Sequence, residues 1–227
     1  MLICIPQLLD KSEVAAMRKL MAAAEWIDGR ATTGAQAVSV KDNRQIPQGS
    51  EIGGKLADLV VDAVGRSQLF LSASMPARIL PPMFSSYTAG QKFGIHVDNA
   101  IRAVPGSAVR IRTDLSCTLF LSEPEEYDGG ELEIETRFGA QAVKLPAGDA
   151  VLYPSTSLHR VTEIARGERL VSFFWIQSMI RDEENRTLLF ELDQAVQEYG
   201  WKQGLADDHA VRLTGIYHNL VRRWAET

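Results

Sequence analysis

The chain has 227 residues, 45% of them apolar and 23% charged, which suits one catalytic-size domain with a sizeable core and excludes a disordered or low-complexity protein. Its formal net charge of −5, with acidic and basic residues interleaved, excludes nucleic acid as a bulk electrostatic partner. No apolar run approaches the roughly 18 residues of a membrane span, and residues 1–6 lack the basic region of a signal peptide, so no membrane partner and a cytoplasmic location are expected.

Taken in chain order, Ile3 and Ile5 predict a short strand, in which Cys4 is expected to be a buried thiol, as is Cys117. Ser12 stands where it could cap a helix whose apolar residues Val14, Met17, Leu20, Met21 and Ala24 recur at helical spacing. A loop over 29–49 precedes a second helix over 51–67, with Ile52, Leu56, Leu59, Val60 and Ala63 facing inward. From 75 to 178 the texture turns to β. Branched and aromatic runs predict strands at 77–80, 83–87, 114–121, 130–135, 140–145, 150–153, 159–164 and 169–177, with turns at Asp128-Gly129-Gly130 and Ala147-Gly148-Asp149.

Two helices, over 182–199 and 209–224, close the chain; the stripe of the first is Leu188, Leu189, Leu192, Ala195 and Val196. The expected fold is therefore mainly β with flanking helices: a double-stranded β-helix (jelly roll) core, N-terminal helices packed on it and a C-terminal helical tail. The division is 1–178 for the jelly-roll domain and 179–227 for the helical extension. A segment this short buries little by itself, so it is expected to pack on the barrel or on a second subunit of a homodimer.

The chemistry rests on four residues. In His96-Val97-Asp98, alternate residues of an extended segment share a face, so an imidazole and a carboxylate can reach one ion. His159 opens a later strand, and strands of a jelly roll return to the same mouth. Two imidazoles and one carboxylate leave coordination positions open, the ligand set of a non-haem iron(II) oxygenase. Singly, His96 also fits a surface loop and His159 a satisfied core histidine. Ten positions on, Arg169 opens an apolar strand; a guanidinium aimed into a barrel needs an anion, and its fork matches a carboxylate. A surface salt bridge to Glu168 or Glu163 is the alternative. A diacid such as 2-oxoglutarate would use the whole set.

The segments 84–99, 148–154, 159–161 and 167–169 resemble the prolyl 4-hydroxylase-type Fe(II)/2-oxoglutarate-dependent dioxygenases, and more closely the bacterial PKHD-type hydroxylases, a group associated with iron uptake. The resemblance runs over nearly the whole chain, tail included. It implies His96, Asp98 and His159 as iron ligands, Arg169 as the 2-oxoglutarate anchor and L-ascorbate as an accessory reductant. It also implies a hydroxylation driven by decarboxylation of 2-oxoglutarate, with dioxygen and a small-molecule or peptide substrate as partners. Glu163 departs from the proline of many relatives, which bears on a turn rather than on the metal.

Tyr87 could offer its hydroxyl to 2-oxoglutarate, and Tyr153 has a weaker claim; both also read as core tyrosines. Asn99 reads as a turn residue or a substrate contact. The segment 100–112 reads as a lid carrying Arg102, Arg110 and Arg112, or as a plain loop. Two other functions remain at this point: a cupin-like metalloenzyme without 2-oxoglutarate, and a non-catalytic iron or 2-oxoglutarate sensor.

Overall fold

The computed structural model describes residues 1–32 and 37–226. The chain opens with β1 (Ile3–Ile5), α1 (Lys11–Ala22), β2 (Ile27–Asp28), β3 (Lys41–Asp42) and β4 (Arg44–Gln45). Next come α2 (Glu51–Arg66), α3 (Gln68–Ser74), β5 (Pro76–Ile79), β6 (Met83–Thr88), β7 (Lys92–His96), β8 (Ile101–Ala103) and β9 (Arg110–Arg112). The β-rich half continues through β10 (Leu115–Phe120), β11 (Tyr127–Gly129), β12 (Leu132–Thr136), β13 (Gly139–Val143), β14 (Ala150–Pro154), β15 (His159–Val161) and β16 (Ile164–Ser178). Helices α4 (Glu183–Gln203) and α5 (Asp208–Trp224) end it.

The major sheet runs β1-β14-β10-β16-β6-β4-β2, with β5 and β11 also paired to β16; the minor sheet runs β13-β12-β15-β7-β3. All these pairings are antiparallel. The two faces of the major sheet can be read from strand alternation. On β16, Leu170, Phe174 and Ile176 join the core under α1, α2 and α3, while Val171 joins a second cluster with Leu132, Ile134 and Val161 of the minor sheet. The sheets therefore face one another, and the helices cover the outside of the larger one. This is the jelly roll with flanking helices that the sequence predicts.

Several local expectations change. Asp10, not Ser12, caps α1: its carboxylate accepts from the Glu13 amide at 2.8 Å while the Glu13 side chain accepts from the Asp10 amide at 2.9 Å. Ser12 lies inside the first turn and donates back to Asp10. Leu59 is 39% exposed, because Leu56, Val60, Ala63 and Val64 already fill the inward face of α2. Cys4 is exposed, since β1 pairs on one side only and its alternate residues point away from the core; Cys117 is buried in β10.

The strand expected over 159–164 is broken at 162–163, and β16 is 15 residues long. Strands β7 and β11 were not foreseen: β7 carries Gly94 in its middle, and β11 ends in the Asp128-Gly129 turn signal. Residues 33–36 of the loop expected over 29–49 lie outside the described residues. The segment 100–112 is an ordered hairpin, with Ile101 opposite Arg112 and Ala103 opposite Arg110.

The tail packs on its own chain: Ile180 and Leu189 are buried with Met75, under Tyr217, Leu220, Val221 and Trp224. Of the stripe expected on α4 only Leu189 is buried; Leu188 is exposed. No helix among the described residues is long and apolar enough to cross a membrane.

Candidate metal centre

Strand pairing brings the ligand candidates together. His159 opens β15 and lies directly opposite His96, the last residue of β7. Their rings are 4.2 Å apart, and Asp98, two residues beyond β7, brings a carboxylate oxygen to 3.8 Å from His159 Nε2. One ligand atom from each of the three lies within 4.8 Å of the others, a spacing at which one cation can touch all three.

The surroundings fix which atoms face the gap. His96 Nδ1 lies 2.9 Å from the Gly94 carbonyl and His159 Nδ1 lies 3.0 Å from the Ser157 carbonyl, so each Nδ1–H donates and each Nε2 keeps its lone pair for a metal. Ser116 donates to Asp98 at 2.6 Å and exchanges a 2.7 Å hydrogen bond with Ser155. The Phe93 ring stacks on His96 at 3.7 Å, and Tyr153 meets His159 edge-on at 5.2 Å. Tyr153 is thus a brace for an imidazole. Burial, reinforced by the neighbouring His159, pushes the His96 pKa down to about 4 and keeps that ring neutral, as a metal ligand must be.

Arg169 is the largest fully buried side chain, 1% exposed, with its Nε and Nη2 lacking any hydrogen-bond partner. Neither suggested salt bridge is present: Glu168 pairs with Arg44 and Glu163 with Lys92, both at the surface. Glu163 is therefore remote from the cluster. The guanidinium lies between the rings of Tyr87 at 5.4 Å and Phe120 at 5.3 Å; Tyr87 is its direct cross-strand partner. Gly130 closes this chamber. A Cβ there would come within 2.3 Å of Ile164 and 3.1 Å of the Arg169 stem, and its φ of +69° suits glycine. An unpaired buried cation costs several kcal/mol, about 3–5 when a partner is missing, so the chamber is shaped for an anion.

One cavity joins the chamber to the histidines. Lys41, Phe93, Ser116, Phe173 and Trp175 also line it, and none was singled out in the sequence. Ser116 had a faint signal: with Thr118 it is a polar residue on alternate positions of an otherwise apolar strand. Lys41 had none. Burial, together with the charge of Arg102, pushes the Lys41 pKa down to about 8. Of the three hairpin arginines, Arg102 faces the cavity, Arg112 pairs with Asp114 at 2.6 Å and Glu226 at 3.1 Å, and Arg110 is exposed. Asn99 is exposed at the mouth, where its carbonyl accepts from Thr113.

The donors fit the two groups such a centre would hold: neutral imidazoles and a carboxylate for Fe(II), an unsatisfied buried guanidinium for a diacid. Comparison with known proteins gives the same class. Residues 82–177 match the 2OG-Fe(II) oxygenase superfamily, and residues 183–226 match the PKHD-type hydroxylase C-terminal domain. A PKHD-type hydroxylase of Methylobacillus flagellatus is 56% identical over 227 residues, covering 100% of both chains. One of Burkholderia lata is 53% identical over 226 residues with the same coverage. A solved prolyl-4-hydroxylase of Pseudomonas putida is similar in fold, with a TM-score of 0.53 at 21% identity over 78% of this chain and 92% of that one. Full-length identity above one half, on a jelly roll with this donor set, places the chain in one family: it belongs to the PKHD-type hydroxylases, enzymes of the 2OG-Fe(II) oxygenase superfamily.

Proposed function

We propose that His96, Asp98 and His159 hold Fe(II), that Arg169 grips the distal carboxylate of 2-oxoglutarate, and that the enzyme hydroxylates a C–H bond of a small-molecule or peptide substrate. The observation that carries this reading is the buried Arg169 guanidinium, whose Nε and Nη2 have no hydrogen-bond partner among the described residues, set in the same cavity as three clustered metal-type donors. When bound, Fe(II) with 2-oxoglutarate and dioxygen supplies the oxidising chemistry, releasing succinate and carbon dioxide.

The chain's own residues supply geometry. The Gly94 and Ser157 carbonyls set both imidazole tautomers, and Ser116 aims the Asp98 carboxylate. Phe93 and Tyr153 hold the rings, while Val161, Leu132 and Val171 keep water from the space between metal and guanidinium. Tyr87 walls the chamber, and its phenol, kept neutral by burial, can donate to the bound diacid. Ser116→Ala removes the hydrogen bond to Asp98 and is expected to weaken Fe(II) binding about 10- to 100-fold, read by anaerobic metal titration. An unchanged affinity would mean that Asp98 is oriented without it.

The finer parts of the reading rest on the resemblance: an enzyme helped by L-ascorbate as reductant and serving iron uptake, to which the sequence patterning adds the expectation of a cytoplasmic location. The extension over 179–227 is read as a unit appended to the catalytic domain over 1–178, and a homodimer would use its exposed faces. A cupin-like enzyme without 2-oxoglutarate has no use for Arg169, and a sensor would bind both ligands without turnover. The test is succinate release by anaerobically Fe(II)-loaded protein given 2-oxoglutarate, dioxygen and a panel of candidate substrates. Substrate-stimulated, chelator-sensitive release is expected; tight binding of both ligands with no stimulated release would identify a sensor instead.

A further inference from the structure

Around Arg169 one further polar group is left over. Tyr127 lies opposite Gly167 where β11 pairs with β16, and Gly167 and Arg169 are alternate residues of that strand, so they share a face. The Tyr127 ring and the Arg169 side chain are thus diagonal neighbours, a separation that long side chains bridge. Two glycines permit the approach. A Cβ on Gly167 would come within 2.9 Å of the Tyr127 Cα, and one on Gly130 within 3.1 Å of both the Tyr127 ring and the Arg169 stem.

Tyr127 is 0% exposed, and its hydroxyl makes no hydrogen bond among the described residues. The guanidinium stands close enough for its charge and its N–H groups to act on that oxygen. Arginine only donates, however, so no contact with it gives the phenolic proton an acceptor. The carboxylates that the phenol feels are engaged elsewhere: Glu131 accepts from Thr162 at 2.6 Å, and Glu126 pairs with Arg18 at 2.8 Å. Tyr87 differs, because Asn43 stands beside its hydroxyl. Burial pushes the Tyr127 phenol up, so the proton stays on it at neutral pH. Lys144 fixes the ring: its ammonium donates to the Tyr127 carbonyl at 2.7 Å and lies 4.0 Å from the ring centroid.

A buried hydroxyl without an acceptor is costly, and Nε and Nη2 of Arg169 bear the same deficit beside it. Three donors and no acceptor define the group that completes them. A carboxylate has lone pairs enough for all three. We propose that Tyr127 is a further binding residue of the diacid pocket, its hydroxyl donating to the distal carboxylate that Arg169 holds. This rests on the assignment of Arg169 to 2-oxoglutarate. It makes the pocket selective for a terminal carboxylate, since a ligand that ends in a methyl group leaves Tyr127 and Arg169 unsatisfied together.

The test is calorimetric titration of anaerobic Fe(II)-loaded enzyme with 2-oxoglutarate and with 2-oxopentanoate, in which a methyl group replaces the distal carboxylate. Wild type is expected to prefer the diacid. Tyr127→Phe keeps the ring and is expected to weaken 2-oxoglutarate about 10- to 100-fold, while 2-oxopentanoate stays within about twofold. Without ligand, the variant should melt no lower than wild type, because the lost hydroxyl had no acceptor on the chain. Unchanged 2-oxoglutarate affinity, equal weakening of both acids, or a lower melting temperature of the ligand-free variant overturns the proposal. If wild type binds both acids equally, the cosubstrate reading falls and this proposal falls with it; if the diacid preference survives in Tyr127→Phe, only this proposal falls.

Discussion

Arg169→Met is expected to weaken 2-oxoglutarate binding by about 2–5 kcal/mol, roughly 30- to 4,000-fold, while Fe(II) affinity stays within about twofold. The guanidinium lies over the rings of Tyr87 and Phe120, with Tyr127 and Gly130 beside it, and its contacts among the described residues include none of the three metal-type donors. Methionine fills much of the same volume without a charge. The ligand-free protein should therefore gain stability, because an unpaired buried cation has been replaced by an apolar group. One kcal/mol of such relief raises the melting temperature by about 2–4 °C in a chain of this size. The wild type should melt higher when 2-oxoglutarate is added, and the variant should not respond. Equal loss of Fe(II) and 2-oxoglutarate binding in Arg169→Met would remove the assigned division of labour.

Asp98→Ala is expected to bring succinate release to background and to weaken Fe(II) binding by more than about 100-fold, beyond the effect of losing a supporting hydrogen bond. Among the described residues Asp98 is the only carboxylate in the cluster, so alanine leaves two imidazoles and no negative charge there against a dication. Asp98→Glu separates charge from position. It keeps the carboxylate but shifts it by about one C–C bond, ~1.5 Å, away from the Ser116 hydroxyl. It should still bind metal, yet lose turnover by about 100-fold, since a misplacement near 1 Å has that effect on a reacting geometry. Full activity in Asp98→Glu, with Asp98→Ala also active, would show that the carboxylate is not a ligand. In both variants the jelly roll should persist, because Asp98 lies outside the strands and the core clusters.

The fold was legible where the period was long or the chemistry rare. Strands β6, β10, β12 and β14 announced themselves as runs of branched and aromatic residues bounded by Gly, Pro or Asp, and α2 and α5 by helical spacing. His96, Asp98, His159 and Arg169 could be named because few side chains bind iron or a buried carboxylate. Their convergence could be tested only in three dimensions, in the cross-strand pairing of His159 with His96. What stayed hidden had no local signature. Lys41 sits in a two-residue strand, and its burial depends on Phe93 and Phe173, residues far away in the chain. Gly130 and Tyr127 shape the chamber around Arg169 by close approach, and the Asp-Gly-Gly spelling signalled only a turn. The hairpin of β8 and β9 read as a lid or loop because its strands have three residues each.

Strand β16 carries Arg169 and, six residues on, Trp175; it pairs antiparallel with β6 from Glu168 to Phe173 and with β10 from Val171 to Ile176. The extended backbone thus sets the interval between Arg169 and the Trp175 ring on which Arg102 is stacked. Such a strand works as a ruler. A molecule that touched both places would have to match that interval, and one a methylene longer would have to bend or slide along the sheet to fit.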